Sequence, residues 1–279
     1  SWSRALGGEF LGMFAYYLSS PFSILVALFP EDMITEALFL IILLKVGCQG
    51  LSFGIYLQTA HPSKKINIII FSTIYALTSY TVVQSMNVMW MDALILFPLV
   101  LLGIERLIDH HRFGLYCICL AATFITNFYI GYMVGIFSAI YAIYYYFSNY
   151  AADNFKKMFS AAWRFALFSC IAVMIAAIII LPAYYSLTFG KTGFQDTNYG
   201  PSQQFDFLDL FVKMLPSAYD TVQPEGLPIV YCSVLCLIML PLYFTSKEIP
   251  LKKKIGSAIL LGVLVVSFNL STIDIFWHG

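Results

Sequence analysis

Charge is what this sequence has least of. Only 11% of its 279 residues are Asp, Glu, Lys or Arg, against 60% apolar, well outside the usual range for soluble domains. That scarcity excludes a water-soluble fold, because uncharged runs of about 16 to 25 residues would demand more cores than a chain of this length can build. The few charges also balance, 15 bases to 15 acids, so no basic surface for nucleic acid or another polyanion is implied. Missing too are a Gly-x-x-x-x-Gly-Lys-Ser/Thr phosphate loop, a His-Glu-x-x-His pair and a Gly-x-Ser-x-Gly elbow, which removes nucleotide-driven pumps and the commoner hydrolase chemistries. No chain of acids inside the apolar runs suggests a proton relay.

Cysteine offers no framework either. Cys48, Cys117, Cys119, Cys170, Cys232 and Cys236 all fall inside apolar runs, where they act as small hydrophobes. Cys117-x-Cys119 and Cys232-x-x-x-Cys236 lack a neighbouring histidine or acid, so packing is expected of them rather than metal binding. The chain opens at Ser1 without a basic leader and stops at Trp277-His278-Gly279; it reads as an internal stretch of a longer membrane protein.

What remains is an all-α polytopic membrane protein. In residues 1–31, Pro21 and Pro30 break the apolar run, which predicts two short interfacial helices rather than one crossing. A six-span core is expected over 32–187, with crossings at 33–58, 66–84, 92–108, 113–126, 130–147 and 165–187. Residues 188–228 form a long polar loop carrying five acids and four prolines, and a structured loop of that length is usually functional. Two further spans, at 229–245 and 255–271, and a tail complete residues 229–279. Lys45 lies near the middle of the first crossing, where a pair with Glu36 or a backbone carbonyl competes with a substrate role.

Charge asymmetry orients these crossings. With residues 1–31 outside, 11 bases (Lys64, Lys65, Arg106, Arg112, Lys156, Lys157, Arg164, Lys247, Lys252, Lys253 and Lys254) lie inside, against 3 outside, Arg4, Lys191 and Lys213. The inner loops are short and basic and hold no cluster of chemical interest. At the outer ends gather Asn87, Trp90, Asp92, Asn127, Tyr129, Tyr132, Lys191 and His278. Tyrosine and tryptophan at an interface have an ordinary explanation in the aromatic belt. Asn127 serves equally as a helix cap or as a ligand, and Asn87 or Asp92 are candidate caps for the helix that follows them. An acid at membrane depth is nevertheless a functional candidate.

Several stretches resemble the YfhO family of bacterial membrane proteins: Gly7 to Phe22, Asn87-Val-Met-Trp-Met-Asp-Ala93 with Leu102-Gly-Ile-Glu-Arg-Leu107, Asn127-Phe-Tyr-Ile-Gly-Tyr-Met133, and Ile273 to Gly279. The resemblance implies a GT-C-like helical bundle with interfacial helices and a long extracytoplasmic loop. It implies a glycosyltransferase using a polyprenyl-phosphate sugar, with a cell-wall polymer such as teichoic acid as acceptor. In that pattern Asp92 is the catalytic or metal-binding acid of the second outer loop, leaving a divalent cation open, and a leading acid would precede Ser1. Arg4, Asn87, Trp90, Asn127, Tyr129, Tyr132, Lys191 and His278 become substrate-binding candidates. A transporter or flippase for a lipid-linked or polar substrate is the rival reading, with Lys45 as its support.

Overall fold

The computed structural model describes residues 10–150, 154–189, 205–216 and 228–278. Among these every regular element is helical. Among the described residues four helices are long and apolar enough to cross a membrane, at Glu31–Ala60, Val88–His110, Phe128–Asn149 and Phe155–Ser186, and two bent pairs raise the number to as many as 6. One of those pairs is the N-terminal stretch. Phe10–Leu18 and Pro21–Leu28 meet at 93°, because Pro21 starts a new 3₁₀ segment whose first turn is capped by the Ser20 hydroxyl. The other pair is the expected crossing at 66–84, which is α3 (Lys65–Ala76) followed by α4 (Ser79–Val83), bent by 41° near Leu77.

The centre of the bundle is α5 (Met91–His110), flanked by α2 (Ile34–Ala60) and α6 (Gly114–Thr126). Two glycines permit the closest helix approaches. A methyl group at Gly103 would lie 2.5 Å from the Tyr116 Cα, and one at Gly131 would lie 2.8 Å from the Phe124 Cα, distances that no side chain occupies. Tyr116, Ile104, Leu107, Leu120 and Val100 fill this seam, with Cys117 and Cys119 as ordinary packing residues. After α6 the chain turns sharply at Asn127, whose extended backbone ends one helix while its side chain caps α7 (Phe128–Asn149). The 35-residue α8 (Phe155–Phe189) is about 52 Å long at 1.5 Å per residue. It exceeds the roughly 30 Å hydrocarbon thickness, and its apolar side chains face outward, Met174 and Ile178 among them. α9 (Asp209–Lys213), α10 (Val234–Thr245), α11 (Leu251–Asn269) and α12 (Ser271–His278) complete the described chain.

Contacts between distant segments separate the two ends of the bundle. At one end Tyr145 and Tyr150 donate to Asp109, and the Lys252 ammonium donates to the Tyr150 carbonyl, so the loops rich in Lys and Arg collect there. At the other end Ser79 reaches the Tyr231 carbonyl at 2.8 Å, Tyr132 the Phe276 carbonyl at 3.2 Å, and the Gly12 amide the Ser186 hydroxyl at 3.0 Å.

Candidate functional site at the mouth of the central helix

The mouth of α5 is built on Asp92 and Lys45. Asp92 lies in the first turn of α5, where the helix dipole favours a carboxylate, and only 3% of it is exposed. Its Oδ2 receives the Lys45 ammonium at 2.6 Å. The same ammonium donates to the Val88 carbonyl at 2.9 Å and lies 5.3 Å from the Phe22 ring centre, a cation–π distance. Lys45 is 1% exposed. Phe22 comes from the Pro21–Leu28 segment, so the broken N-terminal helix roofs the pair. Glu36, the expected alternative partner, is exposed. Nine residues turn a helix by about 900°, placing Glu36 on the face opposite Lys45.

Around this pair stands a cluster of aromatic and amide groups. The Tyr16 hydroxyl accepts from Trp90 Nε1 at 3.2 Å, and its carbonyl accepts from Asn127 Nδ2 at 3.2 Å. Its ring is tilted against Tyr129 at 6.4 Å. The Asn127 Oδ1 accepts the Ile130 amide at 3.0 Å, so this buried side chain caps α7 and ties it to the N-terminal segment. Asn87 caps nothing; it donates to Gln84 Oε1 at 2.6 Å in the turns before α5. Asp92 is likewise no cap, since Trp90 holds that position without a side-chain bond. Thus Trp90, Asn127 and Tyr129 come together around Tyr16, with the Asp92–Lys45 pair two residues along the chain from Trp90 and Asn87 at the edge. Tyr132, one turn along α7, faces α12 through Phe276. Arg4 and Lys191 lie outside the described residues. His278 ends α12, and its side chain is also outside them.

Tyr16 was not among the expected site residues, although a tyrosine beside a helix break is an available signal. A second feature also escaped the sequence reading. On α2 the buried positions Lys45, Gln49, Ser52 and Tyr56 follow helical spacing and form a polar stripe facing α5. Gln49 Oε1 accepts from Thr81 at 3.1 Å, and its Nε2 has no partner among the described residues. The stripe ends at Tyr56, which with Tyr141 donates to Glu105, at 3.0 and 2.6 Å. Just beyond, Tyr150 donates to Asp109 at 2.6 Å, and that bond, with burial second, pushes the Tyr150 phenol up to about 12.

A divalent cation does not fit Asp92 as arranged. The Lys45 ammonium holds the place a metal would take, and among the described residues no three His, Cys, Asp or Glu side chains converge. What the mouth offers is a carboxylate whose second oxygen, Oδ1, accepts no hydrogen bond from the described residues, beside indole and phenol rings.

No curated protein and no solved structure matches the chain. The family model for the bacterial membrane protein YfhO matches residues 1–279, joining the mouth of α5, its Glu105-Arg106 end and the Asn127 turn in one full-length correspondence. The chain therefore belongs to the YfhO family, and it is a bacterial multi-pass membrane protein.

Proposed function

We propose that the chain is part of a GT-C-type membrane glycosyltransferase that moves a sugar from a polyprenyl-phosphate-linked donor to an extracytoplasmic acceptor such as teichoic acid. The supporting observation is the convergence of Asp92, Trp90, Tyr16, Tyr129 and Asn127 at one end of the bundle, away from the basic loops. By charge asymmetry that end faces outward. In the reaction the acceptor hydroxyl oxygen bonds to the sugar's anomeric carbon as the carbon–oxygen bond to the lipid phosphate breaks, and the phosphate leaves with the bonding electrons. The hydroxyl proton passes to a base.

Asp92 Oδ1 receives and aims the acceptor hydroxyl, while Lys45 fixes Oδ2 and so the plane of the carboxylate. Trp90 and Tyr129 stack on the sugar ring, and Asn127 positions Tyr16 rather than touching substrate. Asn87 and Tyr132 bound the entrance, and Arg4, Lys191 and His278 are the candidate contacts to donor phosphate.

The test is transfer from a labelled polyprenyl-phosphate sugar in proteoliposomes of the full protein. Asp92→Asn is expected to lower the rate at least about 100-fold, the scale of a lost acid–base or orienting group. Because removing one partner of a buried pair also destabilises, the apolar double replacement Lys45→Met with Asp92→Leu is assayed beside it. This variant is expected to fold and stay inactive; recovery of transfer would reduce the pair to a structural element.

The polar stripe on α2 favours a second reading, a flippase for a lipid-linked substrate. Burial of Lys45 and Gln49 weighs against it, because a translocation path needs an opening at the bilayer midplane. Protein-dependent movement of a fluorescent polyprenyl-phosphate sugar across liposomes, without transfer, would favour the flippase.

A further inference from the structure

At the far end of α5 lies a cavity of about 350 Å³, bordered by Thr59, Arg106, Asp109, His110, Arg112 and Tyr145. Its size falls in the lower part of the range for small-ligand sites, about 300 to 1,000 Å³. Its charges are arranged unusually. Each acid beside it is held by two phenols rather than by an arginine. Glu105, 6% exposed and also lining the cavity, receives Tyr56 and Tyr141; Asp109 receives Tyr145 at 2.7 Å and Tyr150 at 2.6 Å. Among the described residues the sole ion pair is Lys45–Asp92. Arg106 and Arg112 thus border a cavity whose acids are bonded to phenols rather than to either arginine. Arg106 is half-buried on the helix wall, while Arg112 is exposed on the loop that follows.

We propose that this cavity binds a phosphate ester carrying neighbouring hydroxyl groups. Arg106 and Arg112 take the phosphate, since a planar guanidinium matches its oxygens through paired N–H donors. The hydroxyls are received by Asp109, each of whose oxygens takes one phenol and keeps a second acceptor site, and by the Thr59 oxygen, whose own proton goes to the Ile55 carbonyl. The four phenols blunt the acids, which would otherwise repel the anion. The site is separated from Asp92 by about 21 Å, the rise over the 14 residue steps from Asp92 to Arg106 on one helix, and it does not depend on glycosyl transfer. Glycerophosphate chemistry fits it from two sources, the headgroup of an anionic phospholipid and a soluble phosphate ester.

The experiment uses the full protein in nanodiscs of phosphatidylcholine and reads the midpoint of thermal unfolding. One arm replaces part of the lipid with phosphatidylglycerol, and the other adds soluble glycerol phosphate. A rise on the order of 5 °C near saturation is expected in at least one arm, and the arm that responds identifies the source. Arg106→Gln is expected to abolish most of that rise. Where this variant does not fold, Arg112→Gln, at an exposed position, takes its place under the same criterion. No rise in either arm, or a rise undiminished by the substitution, overturns the proposal.

Discussion

The Lys45 ammonium has exchanged water for one carboxylate oxygen, one carbonyl and the face of a phenylalanine. Both charges are paid for together, so the loss of either partner leaves an uncompensated ion in the bundle. Lys45→Met and Asp92→Asn alone are each expected to cost about 3–5 kcal/mol in thermal or denaturant unfolding, whereas the apolar double replacement should lie near the parent or above it. The same reasoning applies to Gln49, whose Nε2 lacks a partner among the described residues while its Oε1 receives Thr81. Exchanging both for apolar groups of similar shape, Gln49→Met with Thr81→Val, is expected to leave the unfolding midpoint unchanged or higher. A drop of several degrees would show that the amide meets a need the two side chains do not reveal.

At the scale of elements, the approach of α5 to α6 rests on the absence of one methyl group. Gly103→Ala would push against the Tyr116 backbone, which lies 2.5 Å from the added carbon, and backbone cannot rotate away as a flexible side chain does. A loss of about 1–3 kcal/mol is expected, measured by unfolding in detergent. By contrast, Gly47→Ala, with nothing within 4 Å, should be neutral or slightly stabilising through helix propensity. Helices were the most legible part of the sequence, because apolar runs bounded by Pro21, Pro30 and charged loops report on the chain segment by segment. The break at Pro21 and the cap at Asn127 are local effects and were readable for the same reason. A backbone carbonyl as partner of Lys45 was expected and is found at Val88, but its carboxylate partner was not readable, since Asp92 lies 47 residues away and only packing chooses between it and Glu36. The stripe at Lys45, Gln49, Ser52 and Tyr56 is present in the helical spacing, but three of its four members are uncharged and none of them alone departs from an ordinary membrane helix. The phenols around Glu105 and Asp109 were hidden because tyrosine at a membrane boundary is ordinarily read as belt.

For the whole molecule, contacts between distant loops divide the bundle into a basic end and an end carrying the mouth of α5. That division makes a labelling prediction. In a cysteine-free background, Ser63→Cys is expected to react with an impermeant maleimide only after the cell membrane is opened, and Met86→Cys in intact cells. The reverse pattern would place the proposed glycosyl transfer on the wrong side for an extracytoplasmic acceptor. The buried pair also bears on how the chain enters the membrane. Lysine at the centre of an inserting helix carries a penalty of about 2.5–3.5 kcal/mol, and its counter-ion is synthesised only 47 residues later. The Leu, Ile, Phe and Val residues of α2 offset that penalty, but the unpaired ammonium is expected to hold α2 beside the insertion machinery until α5 arrives. Nascent chains truncated before Asp92 should remain photo-crosslinked to the translocon through α2, while Lys45→Met chains of the same length are released.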